Sequence, residues 1–276
     1  MLGVVAMCRE KKWKLYTIAL ALSLISNYYI GFFTCIFTVF MFAASAIIEW
    51  QGIKAFFGRL WLIFRSSVIG LAMGGFILIP AYKALQLTHS VTGAMPQNIS
   101  WENSWLDMFA NLISYNEPTS KEGLPNFACG MLAITLIGVF LFAGGIKIRE
   151  KISSVILLGI IAVSCNMNKL DYIWHGFHET NQLPYRFAFI FSFILAVMAY
   201  RAYDVLTDKG IKLYHLPLLL IGPAAIGVVT YYSKKAAGEV FNLEDTALKS
   251  SLLITGAYIL IVVCMKFIPI KDKKLH

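Results

Sequence analysis

The chain has 276 residues, 58% of them hydrophobic and only 14% charged, with a formal net charge of +9. Soluble domains carry about 25% charged residues, and the mean hydropathy here is +0.69, so a water-soluble globular domain is excluded. No basic run is long enough to track a phosphate backbone, which excludes a nucleic-acid partner; a basic excess in a membrane protein usually sits in cytoplasmic loops.

Residues 1–8, MLGVVAMC, run into the basic REKKWK and are too short for the apolar core of a signal peptide. They read as the last turns of a preceding transmembrane helix, which implies that the chain is part of a longer protein. From Leu15 to Ile48 the sequence stays apolar for a stretch that would make one helix about 51 Å long, too long for one ordinary span. Ser26, Asn27, Tyr28 and Tyr29 interrupt it. The expectation is a short helix, Leu15 to Ile25, and a full one, Tyr29 to Ile48, joined by a turn in the outer leaflet.

Further spans follow at about Leu60 to Ala81, Phe127 to Gly145, Ile152 to Asn166, Phe187 to Leu206, Leu213 to Tyr231 and Ser251 to Ile270. The fold class is therefore all-α, a polytopic transmembrane bundle of about eight membrane segments, read as a single, partial transmembrane domain over residues 1–276. With both ends of the segment cytoplasmic, only Lys83, Lys121, Lys169, Arg186, Lys234, Lys235 and Lys249 of the 24 Lys and Arg fall outside. One unbroken span over Leu15 to Ile48 would divide the basic residues almost evenly, so the positive-inside rule favours the hairpin.

Three outer loops result, at about 82–126, 167–186 and 232–250. The first contains SWENSWLDMFANLI, whose Trp101, Trp105, Met108, Phe109, Leu112 and Ile113 have helical spacing. Ser100 is placed as its N-cap, and the helix is expected to lie at the outer interface with its tryptophans at headgroup level. Pro80, Pro96, Pro118, Pro125 and Pro184 fall at or beyond outer span ends, whereas Pro223 lies inside a span and should kink it.

Candidate chemistry gathers on the second outer loop, KLDYIWHGFHETNQLPYRF. Arg186 precedes an apolar run; its guanidinium is either a fork for phosphate oxygens or a side chain that snorkels or pairs with Asp171 or Glu179. His175 and His178 suit general acid–base work, or are hydrogen-bonded within the loop. Asn27, Tyr28 and Tyr29 are aromatic-belt residues or the floor of a polar cavity, while Asp107, Glu117 and Glu122 read as a solvated face. The five cysteines lack CxxC spacing and read as small apolar residues. No cofactor is expected, since a divalent cation would need more ligands than this loop supplies. No Walker motif, dinucleotide fingerprint, HExxH or GxSxG occurs.

Three stretches, ISNYYIGFF at 25–33, GLPNFACG at 123–130 and NQLPYRFAFIFSF at 181–193, together resemble the YfhO-like family of bacterial membrane proteins. Their order and spacing match it too, and the likeness covers most of the chain. That family resembles GT-C glycosyltransferases, which take a sugar from a polyprenyl-phosphate donor on the outer face, and some members are implicated in glycosylating lipoteichoic acid. The resemblance implies a GT-C-like membrane core in the bacterial cell membrane, with membrane lipid, a polyprenyl-phosphate sugar donor and a cell-envelope glycopolymer acceptor as partners. It makes Asn27, Tyr28, Asn126, Pro184, Tyr185 and Arg186 pocket residues, with His178 and Asn181 as further substrate-binding candidates. The catalytic acid of such enzymes lies on their first outer loop, upstream of residue 1 in this alignment, and a further extracellular region follows the last span. Residues 1–276 are thus expected to be the middle of a larger enzyme, inactive alone. A transporter or flippase, and a non-catalytic membrane scaffold, are the alternatives.

Overall fold

Asn27 breaks the long apolar run by taking an extended backbone, φ −159° and ψ 103°, between two helices. Its side-chain oxygen accepts from the N–H groups of Tyr29 and Ile30, at 3.0 and 3.1 Å, which satisfies two donors that a helix start leaves open. The result is α2 (Lys14–Ser26) followed by α3 (Tyr28–Ile48), the expected hairpin to within a residue or two. In this computed structural model residues 1–87, 95–115, 118–178, 182–208, 210–236 and 245–265 are described. All regular elements among them are helical.

Among the described residues five helices are long and apolar enough to cross a membrane: Tyr28–Ile48, Ile53–Gln86, Arg186–Asp208, His215–Lys235 and Thr246–Met265. Large apolar side chains such as Phe57, Trp61, Phe64, Phe76 and Ile79 stand exposed along the second of these, as hydrocarbon surroundings allow and water does not. Two shorter apolar helices, Lys14–Ser26 and Met131–Phe142, accompany them. The chain is an all-helical membrane protein.

The described residues divide into two units, the first made of 1–100 and 152–180. In it α1 (Leu2–Glu10), α2, α3 and α4 (Ile53–Gln86) pack around Val4, Met7, Cys8, Tyr16, Leu20, Leu24, Phe42 and Ile63. Gly70 and Gly74, one turn apart on α4, let it approach α2 closely: a Cβ at Gly70 would press on Leu20 and the Thr17 carbonyl, and one at Gly74 on Leu24. Close approach through small residues is how helices associate in lipid, where burial supplies little drive. Tyr16 and Ser67 share a 2.7 Å hydrogen bond across the same seam. At the other end of the helices Arg59, almost fully buried, donates to the Glu49 carbonyl at 2.7 Å, and Arg9 pairs with the Glu49 carboxylate at 2.9 Å. α8 (Asn168–Trp174) follows α7 (Ile148–Ser164) and sets Trp174 against Phe33 and Phe40 of α3.

The second unit comprises 101–151 and 181–276. Its centre is α6 (Met131–Phe142), packed against α9 (Phe189–Asp208), α10 (His215–Lys235) and α11 (Asp245–Met265). Gly138 of α6 and Gly222 of α10 form a reciprocal contact: a Cβ on Gly138 would collide with the Leu218 carbonyl, and one on Gly222 with the Ile134 carbonyl. Lys151 closes the end of α6 by donating to the Leu141 and Ala143 carbonyls, at 3.0 and 2.8 Å, and desolvation pulls its ammonium below the ordinary lysine range. Arg201 bridges Glu150 and Asp204, at 2.7 and 2.6 Å.

Three local expectations differ from the structure. The amphipathic helix is one short element, α5 (Trp105–Ala110), with Ser104 at the N-cap position. Ser100 is committed elsewhere: its N–H donates to the Asn168 side chain, and its carbonyl accepts from the Asn168 N–H, both at 3.2 Å. Pro80 lies inside α4, which continues to Gln86, so the proline does not end the helix.

Candidate functional site

In the second unit the segment before α9 builds a tight turn. Leu183 and Tyr185, on either side of Pro184, both take left-handed backbone conformations, φ 52° and 55°, which side-chain-bearing residues rarely adopt. Such strain persists only where neighbours over-determine it. Here the Leu183 N–H donates to the Lys121 carbonyl at 3.0 Å, the Ala188 N–H to the Tyr185 carbonyl at 2.8 Å, and the Asn103 amide to the Tyr185 hydroxyl at 2.9 Å. Tyr185 itself is buried.

Arg186 opens a short 3₁₀ turn, Arg186–Ala188, that leads into α9, and is the first residue of the 23-residue span Arg186–Asp208. Its Nη2 donates to the Gln182 carbonyl at 3.0 Å and its Nε to the Leu183 carbonyl at 3.3 Å, which fixes the plane of the guanidinium. A cation at this end of a helix adds to the positive end of the macrodipole, an arrangement unfavourable for the helix and favourable for a bound anion.

Asn126, a second candidate in this unit, is turned onto its own loop. Its Oδ1 accepts from the Thr119 N–H at 2.9 Å and its Nδ2 donates to the Thr119 carbonyl at 3.1 Å. This two-bond clamp, with the Asn111 amide on the Pro125 carbonyl at 2.8 Å, sets the path of the 119–126 loop. Lys121 of that loop is the residue that holds Leu183.

The first unit holds a separate group. Tyr29, in the first turn of α3, has both His175 and His178 at 6.3 Å between ring centroids, and Phe33 at 4.8 Å. His175 is wholly buried; its Nδ1 lies 2.9 Å from the Asp171 carbonyl and 3.2 Å from the Asp171 carboxylate. This is the bonding of a C-cap, and His175 occupies that position on α8. Gly176 and Phe177 turn the chain with positive φ, 76° and 65°, and present His178 to Tyr29. Asn27 is occupied as the α3 cap, and Tyr28 beside it is exposed. Asn181, Glu179 and Glu117 lie outside the described residues. Among the described residues no group of three His, Cys, Asp or Glu could hold a metal ion.

With this geometry in view, the family model described as bacterial membrane protein YfhO matches residues 1–274. The chain belongs to the YfhO family. No curated protein and no solved structure matches it. Asn103 is the residue of this YfhO chain that the sequence passes over. The signal for it is an amide set between two tryptophans in WENSW, but only the fold carries that amide to Tyr185.

Proposed function

We propose that this YfhO family chain forms the membrane core of a glycosyltransferase, which moves a sugar from a polyprenyl-phosphate donor to a cell-envelope acceptor such as lipoteichoic acid. In this reading about eight membrane segments make a GT-C-like core, both ends of the segment are cytoplasmic, and the Arg186 turn opens on the outer face. The observation that supports it best is the placing of Arg186: a braced guanidinium at the first residue of an apolar span, at the positive end of a helix. An anion that reaches such a place from within the bilayer edge is a lipid phosphate.

The chemistry is a direct displacement. An acceptor hydroxyl oxygen bonds to the anomeric carbon as the bond from that carbon to the phosphate oxygen breaks; a base takes the hydroxyl proton, and polyprenyl phosphate departs with the bonding electrons. Negative charge grows on the departing oxygen, so a cation fixed beforehand favours the transition state over the bound donor. Arg186 serves that role, and Tyr185 and Asn126 shape the turn and loop around it. His178, Tyr28 and Asn27 are further substrate-binding candidates by the family resemblance, and Asn27 would act through the backbone it caps.

Arg186→Ala in the full-length protein should lower sugar transfer by about 10²- to 10³-fold, the usual loss for one preorganised charge-stabilising group, while membrane insertion stays normal. Arg186→Lys, which keeps the charge and loses the fork, should fall between. Transfer at the wild-type rate in Arg186→Ala would overturn the proposal.

A further inference from the structure

We infer that Trp101, Asn103 and Trp105 form the subsite for the sugar ring beside the Arg186 turn; the inference rests on the glycosyl-transfer reading and names a part of it. Between the two tryptophans the sequence runs Glu102, Asn103, Ser104, so a carboxylate, an amide and a hydroxyl lie between two indoles in the chain. Trp101, ahead of α5, is 54% exposed and Trp105, its first residue, 38%, although Met108 and Ala110 on α5 are buried. Their rings lie 5.6 Å apart, and Trp105 is stacked on Phe109 at 6.3 Å.

Two independent contacts tie this platform to the turn and to the helix that follows it. Phe109 meets Phe191, on the first turns of α9, at 6.4 Å. Asn103 donates to the hydroxyl of Tyr185, the residue before Arg186, at 2.9 Å. Trp101 and Trp105 are each two residues from Asn103, so the indoles flank the amide that holds the Tyr185 hydroxyl. In a glycosyl phosphate the sugar is bonded directly to the phosphate, so a ring recognised together with that phosphate has to lie close to the Arg186 turn.

The chemistry of the surface fits that occupant. A pyranose has an apolar face of C–H bonds, which meets the electron-rich face of an indole, and a rim of hydroxyls, which needs donors and acceptors. A row of tryptophans serving only as an interfacial belt would account for the rings. It would not account for the amide set between them and bonded to the Arg186 turn.

The test uses the full-length protein in lipid nanodiscs, with bare polyprenyl phosphate and its glucosyl, galactosyl and N-acetylglucosaminyl derivatives as probes. Wild type should bind at least one glycosylated lipid more tightly than the bare one. The double variant Trp101→Leu, Trp105→Leu should lose that preference, with binding of the preferred lipid weakened about tenfold and binding of the bare lipid unchanged, which also reports an intact fold. Arg186→Ala should weaken both lipids. A double variant that weakens both lipids equally, or neither, assigns the tryptophans to the interface and overturns the sugar subsite, leaving the Arg186 result to carry the proposed function. Binding of both lipids unaltered in Arg186→Ala overturns that function and the subsite with it.

Discussion

Asn27 carries two readings, a pocket residue by family resemblance and a helix cap by its bonds. The cap makes a distinct claim about stability. Asn27→Ala should cost about 1 kcal/mol, the usual loss for an N-cap side chain, whereas Asn27→Asp and Asn27→Ser, which keep an acceptor there, should stay near wild type in thermal unfolding in one detergent. Equal loss in all three would mean that the amide serves something other than the Tyr29 and Ile30 N–H groups. The break at Asn27 was legible because a polar residue inside a long apolar run has few other reasons to be there. Ser100 misleads for the opposite reason: it stands ahead of an amphipathic pattern like a cap, and its actual partner, Asn168, is 68 residues away. The positive φ of Leu183 and Tyr185 is likewise invisible in sequence, since neither residue type favours it.

α6 and α10 define one another. With each glycine facing the other helix's carbonyl, even one methyl group must push the pair apart. Gly222→Ala should therefore lower the unfolding temperature clearly, and so should Gly138→Ala. Gly227→Ala, on the same α10 but with open space around its Cβ position, should be neutral or raise it slightly, because alanine is the better helix former by about 1 kcal/mol. Equal effects at 222 and 227, measured by thermal unfolding in one detergent, would refute the contact. At this scale the sequence gives the existence of helices well and their lengths less well. The apolar run at Phe127 to Gly145 suggests a span, yet α6 forms only over Met131–Phe142 because Gly130, φ 83°, sets its start and Ala143, ψ 148°, turns away at its end. α6 is apolar on all sides because neighbours surround it, so no face marks its ends.

The chain passes from one unit to the other at 100/101, 151/152 and 180/181, so neither unit is a continuous piece of sequence. Such a division depends on contacts between distant segments, which hydropathy does not reveal. Charge, by contrast, speaks about the whole molecule. The distribution of Lys and Arg predicts the side on which each loop lies. In a cysteine-free background, Glu122→Cys should react with a membrane-impermeant maleimide on intact cells, and Lys212→Cys only after permeabilisation. The reverse pattern would invert the orientation and move the Arg186 turn to the cytoplasm. Dimensions add a last consequence, drawn from α4. Its 34 residues make a rod of about 51 Å in a hydrocarbon slab of about 30 Å. Lying wholly within the slab would require a lean of more than 50°, beyond the usual limit of about 40° for spanning helices. Some of the rod must therefore leave the hydrocarbon for the headgroup layer or beyond, and the turns after Pro80, with Tyr82, Lys83 and Gln86, have the composition for it.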